Sequence, residues 1–170
     1  MNGLRYLAFI ALGLLAGCGY HPAGKVTEFP GGIKTLHIKT FTNGTFQPFL
    51  EAFMTDRVIA EFAQEGLVTV VEDPEQADGE VSGEVSYYHT KAIAFDRHDQ
   101  PTEYRSLMKV RATLRRLEDG RVFWKGEASW SQEYPADLNK EAQEINEEAA
   151  IRVICQDLAE ELYEKMIENF

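Results

Sequence analysis

Three long segments of alternating polar and apolar residues follow one another in the second half of the chain, and they constrain the fold more than any other feature. They cover residues 79–94, 103–117 and 121–134. Strict alternation is typical of strands with one buried face. The turn at residues 118–121 contains Asp119-Gly120, a pair that readily adopts the positive φ of a tight hairpin, and residues 98–101 link the first two segments. The pattern therefore predicts a three-stranded antiparallel meander.

One face of each segment is predicted to point into the core. The predicted core residues are Val81, Gly83, Val85 and Tyr87 in the first segment, Tyr104, Met108, Val110, Ala112 and Leu114 in the second, and Val122, Trp124, Ala128 and Trp130 in the third.

Shorter patterns surround the meander. Residues 33–41 and 67–71 are predicted strands, and residues 42–45 a turn between elements. Helical spacing begins near Gln47-Pro48, with Phe49, Phe53, Val58 and Phe62 on its apolar side, and ends at Gly66. A second helix covers 138–169, with a predicted apolar stripe of Ile145, Ala149, Val153, Leu158, Leu162 and Met166. The order β-α-β-β-β-β-α predicts an α+β two-layer sandwich, with both helices on one face of a mixed, mostly antiparallel sheet of about four to five strands.

The N-terminal residues have the layout of a bacterial secretion signal. Arg5 precedes an apolar run at residues 6–15, and small residues lead to Cys18. Residues 15–18, Leu-Ala-Gly-Cys, resemble a lipobox, so we expect cleavage before Cys18 and lipids attached to that cysteine. Gly19 takes the place of the Asp that retains many lipoproteins in the inner membrane, which favours the outer membrane. The predicted organisation is a signal peptide at 1–17, a lipidated cysteine and tether at 18–32, and one domain at 33–170.

The charge of the chain limits its partners. The net charge is −11, and cleavage before Cys18 removes one basic residue, Arg5, leaving −12. Binding to nucleic acid comes largely from Lys and Arg contacts to phosphates, so we expect no nucleic-acid partner. The mature chain has one further cysteine, Cys155, which lies in a helical apolar pattern and is predicted to be a buried apolar residue without a catalytic role.

A row of basic residues is the most informative polar feature. Arg105, Lys109, Arg111 and Arg115 alternate with the predicted core residues of one strand, so all four share its opposite face. Two interpretations remain open. The four cations pair across the sheet with Glu80, Glu84 and Glu127, or they bind an anion such as the phosphorylated head group of a lipid.

The sequence contains no convincing catalytic constellation. It lacks a Gly-rich phosphate loop and a Gly-x-Ser-x-Gly motif. The nearest approach to a metal site is His89, Asp96, His98 and Asp99 around one loop, a set that is better explained as the polar side chains of a solvated turn. We therefore expect neither enzymatic activity nor a cofactor.

Several stretches in order give the mature chain a resemblance to the LptE family of lipopolysaccharide-assembly lipoproteins. They are residues 18–21, 33–38 with 41–43, 72–78, 81–85, and 150–152 with the final helix. The resemblance implies a non-enzymatic outer-membrane lipoprotein whose domain lies on the periplasmic side and within the lumen of the LptD β-barrel. It also implies help in assembling that barrel and binding of lipopolysaccharide. The basic residues are nominated from the strand pattern, not from the resemblance. The alternatives are an accessory lipoprotein of another envelope or secretion complex, and a metal-dependent envelope enzyme.

Overall fold

A computed structural model describes residues 28–168 of the chain. The predicted signal peptide, Cys18 and the tether up to residue 27 lie outside the described residues. The strands and helices, in chain order, are β1 (Thr35–Ile38), β2 (Thr42–Asn43), α1 (Leu50–Glu65), β3 (Thr69–Val71), β4 (Gly79–Phe95), β5 (Pro101–Arg116), β6 (Val122–Pro135) and α2 (Lys140–Glu168).

All the strands join one mixed sheet in the order β3-β1-β4-β5-β6, with β2 also paired to β4. The β1, β2 and β3 pairings are parallel, whereas β4, β5 and β6 form the antiparallel meander. The α+β sandwich is therefore confirmed, with six strands where about four to five were expected. The additional strand is β2, which the sequence assigned to a turn. Two residues are too few for alternation to become visible.

Both helices lie against the same face of the sheet. Met108, Val110 and Leu114 of β5 are completely buried on that face, as the alternation predicted. Met54, Val58 and Phe62 of α1 and the C-terminal half of α2 complete the core. Burial of such side chains supplies most of the driving force for folding, about 1.5–3 kcal/mol for each large apolar side chain.

Two irregularities reverse the predicted face of particular residues. The register passes from Val85 opposite Val110 to Tyr87 opposite Lys109, so Ser86 is an extra residue in a β-bulge. Tyr87 therefore points away from the helices and is 42% exposed, which corrects its assignment to the core. Val122, opposite Arg115, is likewise outside the core, because the register of β6 shifts beside it.

Partial covering of the sheet accounts for two more wrong assignments. Trp130 shares the face of Met108 but lies in the edge strand β6, where it remains 42% exposed. Tyr104, near the far end of β5, is only half-buried.

The apolar stripe of α2 was correct only in its C-terminal half. Leu158, Leu162 and Met166 are buried, whereas Ile145, Ala149 and Val153 are exposed. The residues that replace the exposed three in the core are Ala150, Ile151, Ile154, Cys155, Ala159 and Tyr163. In α1, Phe49 is exposed because it precedes the helix, which begins at Leu50 instead of near Gln47-Pro48.

The described end of the predicted tether packs onto the domain. Phe29 is 3% exposed and contacts Phe62 edge-on, with ring centroids 6.0 Å apart. Gly31 has a φ of 71°, and a Cβ there would lie 2.4 Å from the Phe123 ring. The folded part of the chain therefore includes Phe29, instead of beginning at Ile33. Between residues 28 and 168, no helix is long and apolar enough to cross a membrane.

Candidate functional site

The face of β4, β5 and β6 that points away from the helices is called the open face here. Arg105, Lys109, Arg111 and Arg115 all lie on it, because they alternate with the buried residues of β5 without any irregularity from Glu103 to Arg116. These four residues are called the basic stripe. Its predicted position is confirmed.

Two arginines of the basic stripe pair with acids on neighbouring strands, as the first interpretation expected. Arg115 Nη2 lies 2.8 Å from Oε1 of Glu80, a residue only 8% exposed beside His37. Arg111 lies between two carboxylates, with Nη1 3.6 Å from Glu84 Oε2 and Nε 3.6 Å from Glu127 Oε2. Cross-strand ion pairs are therefore confirmed for both residues.

The third arginine has a partner that sequence reasoning missed. Arg105 donates to Oε1 of Glu133 through Nε at 2.9 Å and also through Nη2. The register places Arg105 opposite Glu133 in the same ladder that places Arg111 opposite Glu127. Counting outward from the Asp119-Gly120 turn would miss Glu133 by one residue, because the register shift beside Val122 is not visible in the sequence.

Lys109 is the exception in the basic stripe. Its ammonium lies 6.0 Å from the centroid of the Tyr87 ring and makes no ion pair within residues 28–168. Lys125, on the same face of β6, also lacks an ion pair in that part of the chain. Since the Arg111 side chain is 61% exposed and its pairs are long, a phosphate could replace its carboxylate partners.

A shallow depression of about 670 Å³ lies across this part of the open face. Its lining comes from all three long strands, and includes Ser82, Glu84, Arg111, Thr113 and Lys125. Hydroxyl groups on its floor and cations at its sides are suitable donors for phosphate oxygens. The depression therefore brings hydroxyl and cationic donors together, beside the carboxylates of Glu84 and Glu127.

The residues proposed as a metal site do not converge. Asp96 Oδ1 accepts hydrogen bonds from the backbone N–H groups of His98 and Gln100, at 2.7 and 3.0 Å. These bonds lower the pKa of Asp96 below its usual value and hold the turn. His89 lies beside Tyr87 on the open face. Within the described residues, no three His, Cys, Asp or Glu side chains are grouped so that they could bind a metal ion.

Sequence reasoning missed a cluster of hydroxyl groups on the helical side of the sheet. Tyr88 OH lies 2.9 Å from Ser106 Oγ and donates to Glu147 Oε1 of α2 at 2.8 Å. Thr90 Oγ1 lies 2.7 Å from Ser106 Oγ and donates to the same carboxylate oxygen at 3.1 Å. Burial raises the pKa of Tyr88 well above its usual value, so its hydroxyl remains a donor. The bulge at Ser86 hid this cluster, because it reverses the face of the residues from Tyr87 to Ala92, where the next register shift begins.

Comparison with known families gives one match that covers most of the chain. Residues 33–166 match the model of LptE, described as lipopolysaccharide-assembly. The chain belongs to the LptE family. Members of this family are non-enzymatic lipoproteins associated with the outer membrane. No curated protein matches the chain in sequence.

Solved structures show the same fold at low sequence identity. The chain is similar to uncharacterized lipoprotein B from Nitrosomonas europaea, with a TM-score of 0.58 and 13% identity over 88% of this chain and 90% of the other. For the rare lipoprotein B from Shewanella oneidensis the values are 0.54 and 12%, over 78% and 93%. For a minor lipoprotein from Acinetobacter baumannii they are 0.52 and 16%, over 80% and 94%. These similarities support the two-layer LptE-family fold described above.

Proposed function

We propose that the mature protein is anchored at Cys18 to the periplasmic side of the outer membrane and is a subunit of the lipopolysaccharide translocon. In this role it fills the lumen of an LptD-type β-barrel, assists assembly of that barrel and binds lipopolysaccharide on its way to the outer leaflet. It performs no catalysis. The observation that carries the proposal is the LptE family match over residues 33–166.

The position of the N-terminal end supports an arrangement relative to the membrane. Arg116 Nη1 donates to the carbonyl oxygen of Gly31 at 3.4 Å, so the chain enters the domain beside the β5–β6 turn. Arg115 is the stripe residue nearest that end and Arg105 the farthest, ten residues along one strand. At about 3.3 Å per residue, the basic stripe spans about 33 Å. A lipid-tethered domain would thus offer cations at increasing distance from its anchor.

The basic stripe is the proposed contact for the phosphates of lipopolysaccharide. Arginine binds phosphate through two parallel hydrogen bonds, and lysine acts as a point charge. Lys109 can bind a phosphate without breaking an ion pair. Arg105, Arg111 and Arg115 must first give up an ion pair with a glutamate. We therefore expect Lys109 to contribute more to the affinity than Arg115, whose partner Glu80 is nearly buried.

The barrel partnership is tested on the full-length lipidated protein. Outer membranes are solubilised in mild detergent, the protein is purified through a C-terminal tag, and its partners are identified and quantified. We expect one LptD-type barrel for each copy of the protein. Recovery with the components of a different envelope complex, and without a barrel, would contradict the translocon role and support the accessory-lipoprotein alternative.

Lipid binding is tested separately, by replacing Arg105, Lys109, Arg111 and Arg115 together with Ser and measuring affinity for purified lipopolysaccharide. A matched control removes four cations that do not belong to the basic stripe: Lys39, Arg57, Lys140 and Arg152. We expect the stripe variant to bind at least about tenfold more weakly, because one hydrogen bond to a charged group contributes roughly 1.5–3 kcal/mol. We expect the control variant to bind less than about twofold more weakly. Equal affinity of the two variants would remove the stripe as the ligand site and leave the barrel role intact.

A further inference from the structure

One side of β4 has no partner along its second half. On that side Lys39 N donates to Val81 O and Gly44 N to Val85 O, both at 2.9 Å. Within residues 28–168, no backbone hydrogen bond is made on that side beyond Val85, although β4 continues to Phe95. This stretch, residues 87–95 on the side away from β5, is called the β4 edge.

Alternation identifies the backbone groups that the β4 edge presents. Val81 and Val85 direct their carbonyls away from β5, so their neighbours in sequence bond to β5. The bulge at Ser86 advances this alternation by one residue. The N–H and C=O groups that point outward are then those of Tyr88, Thr90 and Ala92, in the spacing that an added strand requires.

The opposite edge of the sheet, β6, is protected by the protein's own side chains. Lys165 Nζ donates to the carbonyl of Glu127, Gln132 Nε2 to that of Glu133, and Asn146 Nδ2 to that of Pro135, at 3.0–3.1 Å. Proteins commonly protect exposed edges in this way against pairing with other chains. No such side-chain bond caps the β4 edge in the described part of the chain. The difference marks the β4 edge as the one left available.

A cavity of about 480 Å³ opens beside the β4 edge. Tyr88 and Thr90 line it from β4, the loop around Phe46 from the other side, and Glu147 from α2. Phe46 is fully exposed, a costly position for an aromatic ring with no partner. Glu147 Oε1 accepts both hydroxyl groups, whereas its Oε2 has no hydrogen bond within residues 28–168. The cavity thus combines an apolar wall with a carboxylate that has accepting capacity left.

We propose that the β4 edge binds an extended segment of a partner protein, which adds to the sheet as a further strand and places a Lys or Arg side chain against Glu147. Main-chain hydrogen bonds to Tyr88, Thr90 and Ala92 would provide affinity, and the cavity would provide specificity. The first turns of α2, residues 140–150, carry four acids and one base, so a cationic segment is complementary in charge. The inference does not require the partner to be a barrel.

A second copy of the chain is a poor occupant of the β4 edge. Antiparallel pairing of two such edges around Thr90 would bring the Glu147 carboxylates of both copies to the same place. Like charges across adjacent strands are destabilising, and the acidic first turns of α2 add to that repulsion. A heterologous cationic strand removes the repulsion and satisfies the free Glu147 oxygen.

The test uses the complex purified from solubilised membranes through the tagged full-length protein. Hydrogen–deuterium exchange is compared between the complex and the protein released from it. We expect exchange of the outward amides of Tyr88, Thr90 and Ala92 to slow at least tenfold in the complex, while residues 129–133 of β6 exchange equally in both. Unchanged exchange at these three amides overturns the proposal, as does recovery of the protein alone or only as a dimer of itself.

Two variants test the same edge independently. Ala92→Pro removes an outward N–H without breaking the β4–β5 ladder, and Ser131→Pro is its control at an outward position of β6. We expect Ala92→Pro to reduce recovery of the complex at least fivefold and Ser131→Pro less than twofold. Glu147→Gln keeps the acceptor for Tyr88 and Thr90 and removes the charge, so we expect it to weaken the complex at low salt and less at high salt. Equal recovery of both proline variants would overturn the proposal.

The exchange experiment also separates this inference from the proposed function. A barrel complex with an unprotected β4 edge would remove only the edge proposal. Protection of the edge by a partner that is not a barrel would instead keep the edge proposal and contradict the translocon role.

Discussion

Replacing Thr55 with Val tests how the sheet is attached to helix α1. The Thr55 hydroxyl donates to the carbonyl of Glu51 at 2.6 Å, an ordinary bond to the previous turn of the helix. It also accepts the backbone N–H of Phe41 at 3.0 Å, and Phe41 is 2% exposed. Valine has the same shape and no acceptor, so the variant leaves the Phe41 N–H buried and without a partner.

The two hydrogen bonds predict different changes in the free energy of unfolding. If the hydroxyl only bonded to Glu51, its loss would be nearly neutral, because bonds from Thr to the previous turn contribute little to helix stability. A buried donor left without an acceptor costs about 1–3 kcal/mol. For a domain of this size each kcal/mol corresponds to about 3–4 °C in Tm. We therefore expect Thr55→Val to lower the Tm by roughly 3–12 °C.

The assay is thermal and urea unfolding of the soluble domain, followed by circular dichroism. Thr113→Val is the matched control, because Thr113 makes no side-chain hydrogen bond in the described part of the chain and lies in a strand. We expect that control to change the free energy of unfolding by less than about 0.5 kcal/mol. A Thr55→Val protein as stable as Thr113→Val would refute the reasoning that Phe41 depends on this acceptor.

Two further predictions concern a turn and a thiol. Asp119 bonds to Arg116 and to the backbone N–H of Arg121, and both bonds hold its folded-state pKa below the ordinary value. Its contribution to stability is therefore fully present above the unfolded pKa and is lost as the pH falls through the folded one. We expect Asp119→Asn to destabilise the domain more at pH 7 than at pH 2, which urea unfolding at both pH values measures. Burial raises the pKa of Cys155 to about 12, so we expect a thiol reagent at pH 8 to label it only on unfolding, and rapid labelling of the native domain would contradict its burial.

The meander was predictable because a helix or a loop rarely produces such long alternation of polar and apolar residues. From Glu103 to Arg116, β5 contains no irregularity, and its buried face and basic stripe were both correct from the sequence. In β6, Trp124 and Ala128 were correct for the same reason. The buried and open faces of these strands could thus be predicted, because side-chain direction follows directly from position in a regular strand.

The wrong burial assignments arise because burial depends on neighbouring elements, and the sequence of a single helix or strand does not show where those elements lie. Ile145 and Val153 continue a helical apolar pattern, but the sheet does not extend beneath them, so both remain exposed. Phe29 is buried because Phe62, far along the chain, lies against it. Such contacts depend on how elements are placed in three dimensions, which local periodicity does not report.

The bulge at Ser86 links the two surfaces proposed for binding. Without it, Tyr87 would face the helices and Tyr88 would face the open side. With it, Tyr87 lies beside Lys109 on the open face, and Tyr88 joins the hydroxyl cluster at the β4 edge. One inserted residue therefore places Tyr87 beside Lys109 of the basic stripe and Tyr88 in the wall of the cavity. Sequence reasoning failed at this residue because alternation assumes a regular strand, and bulges are common next to functional sites.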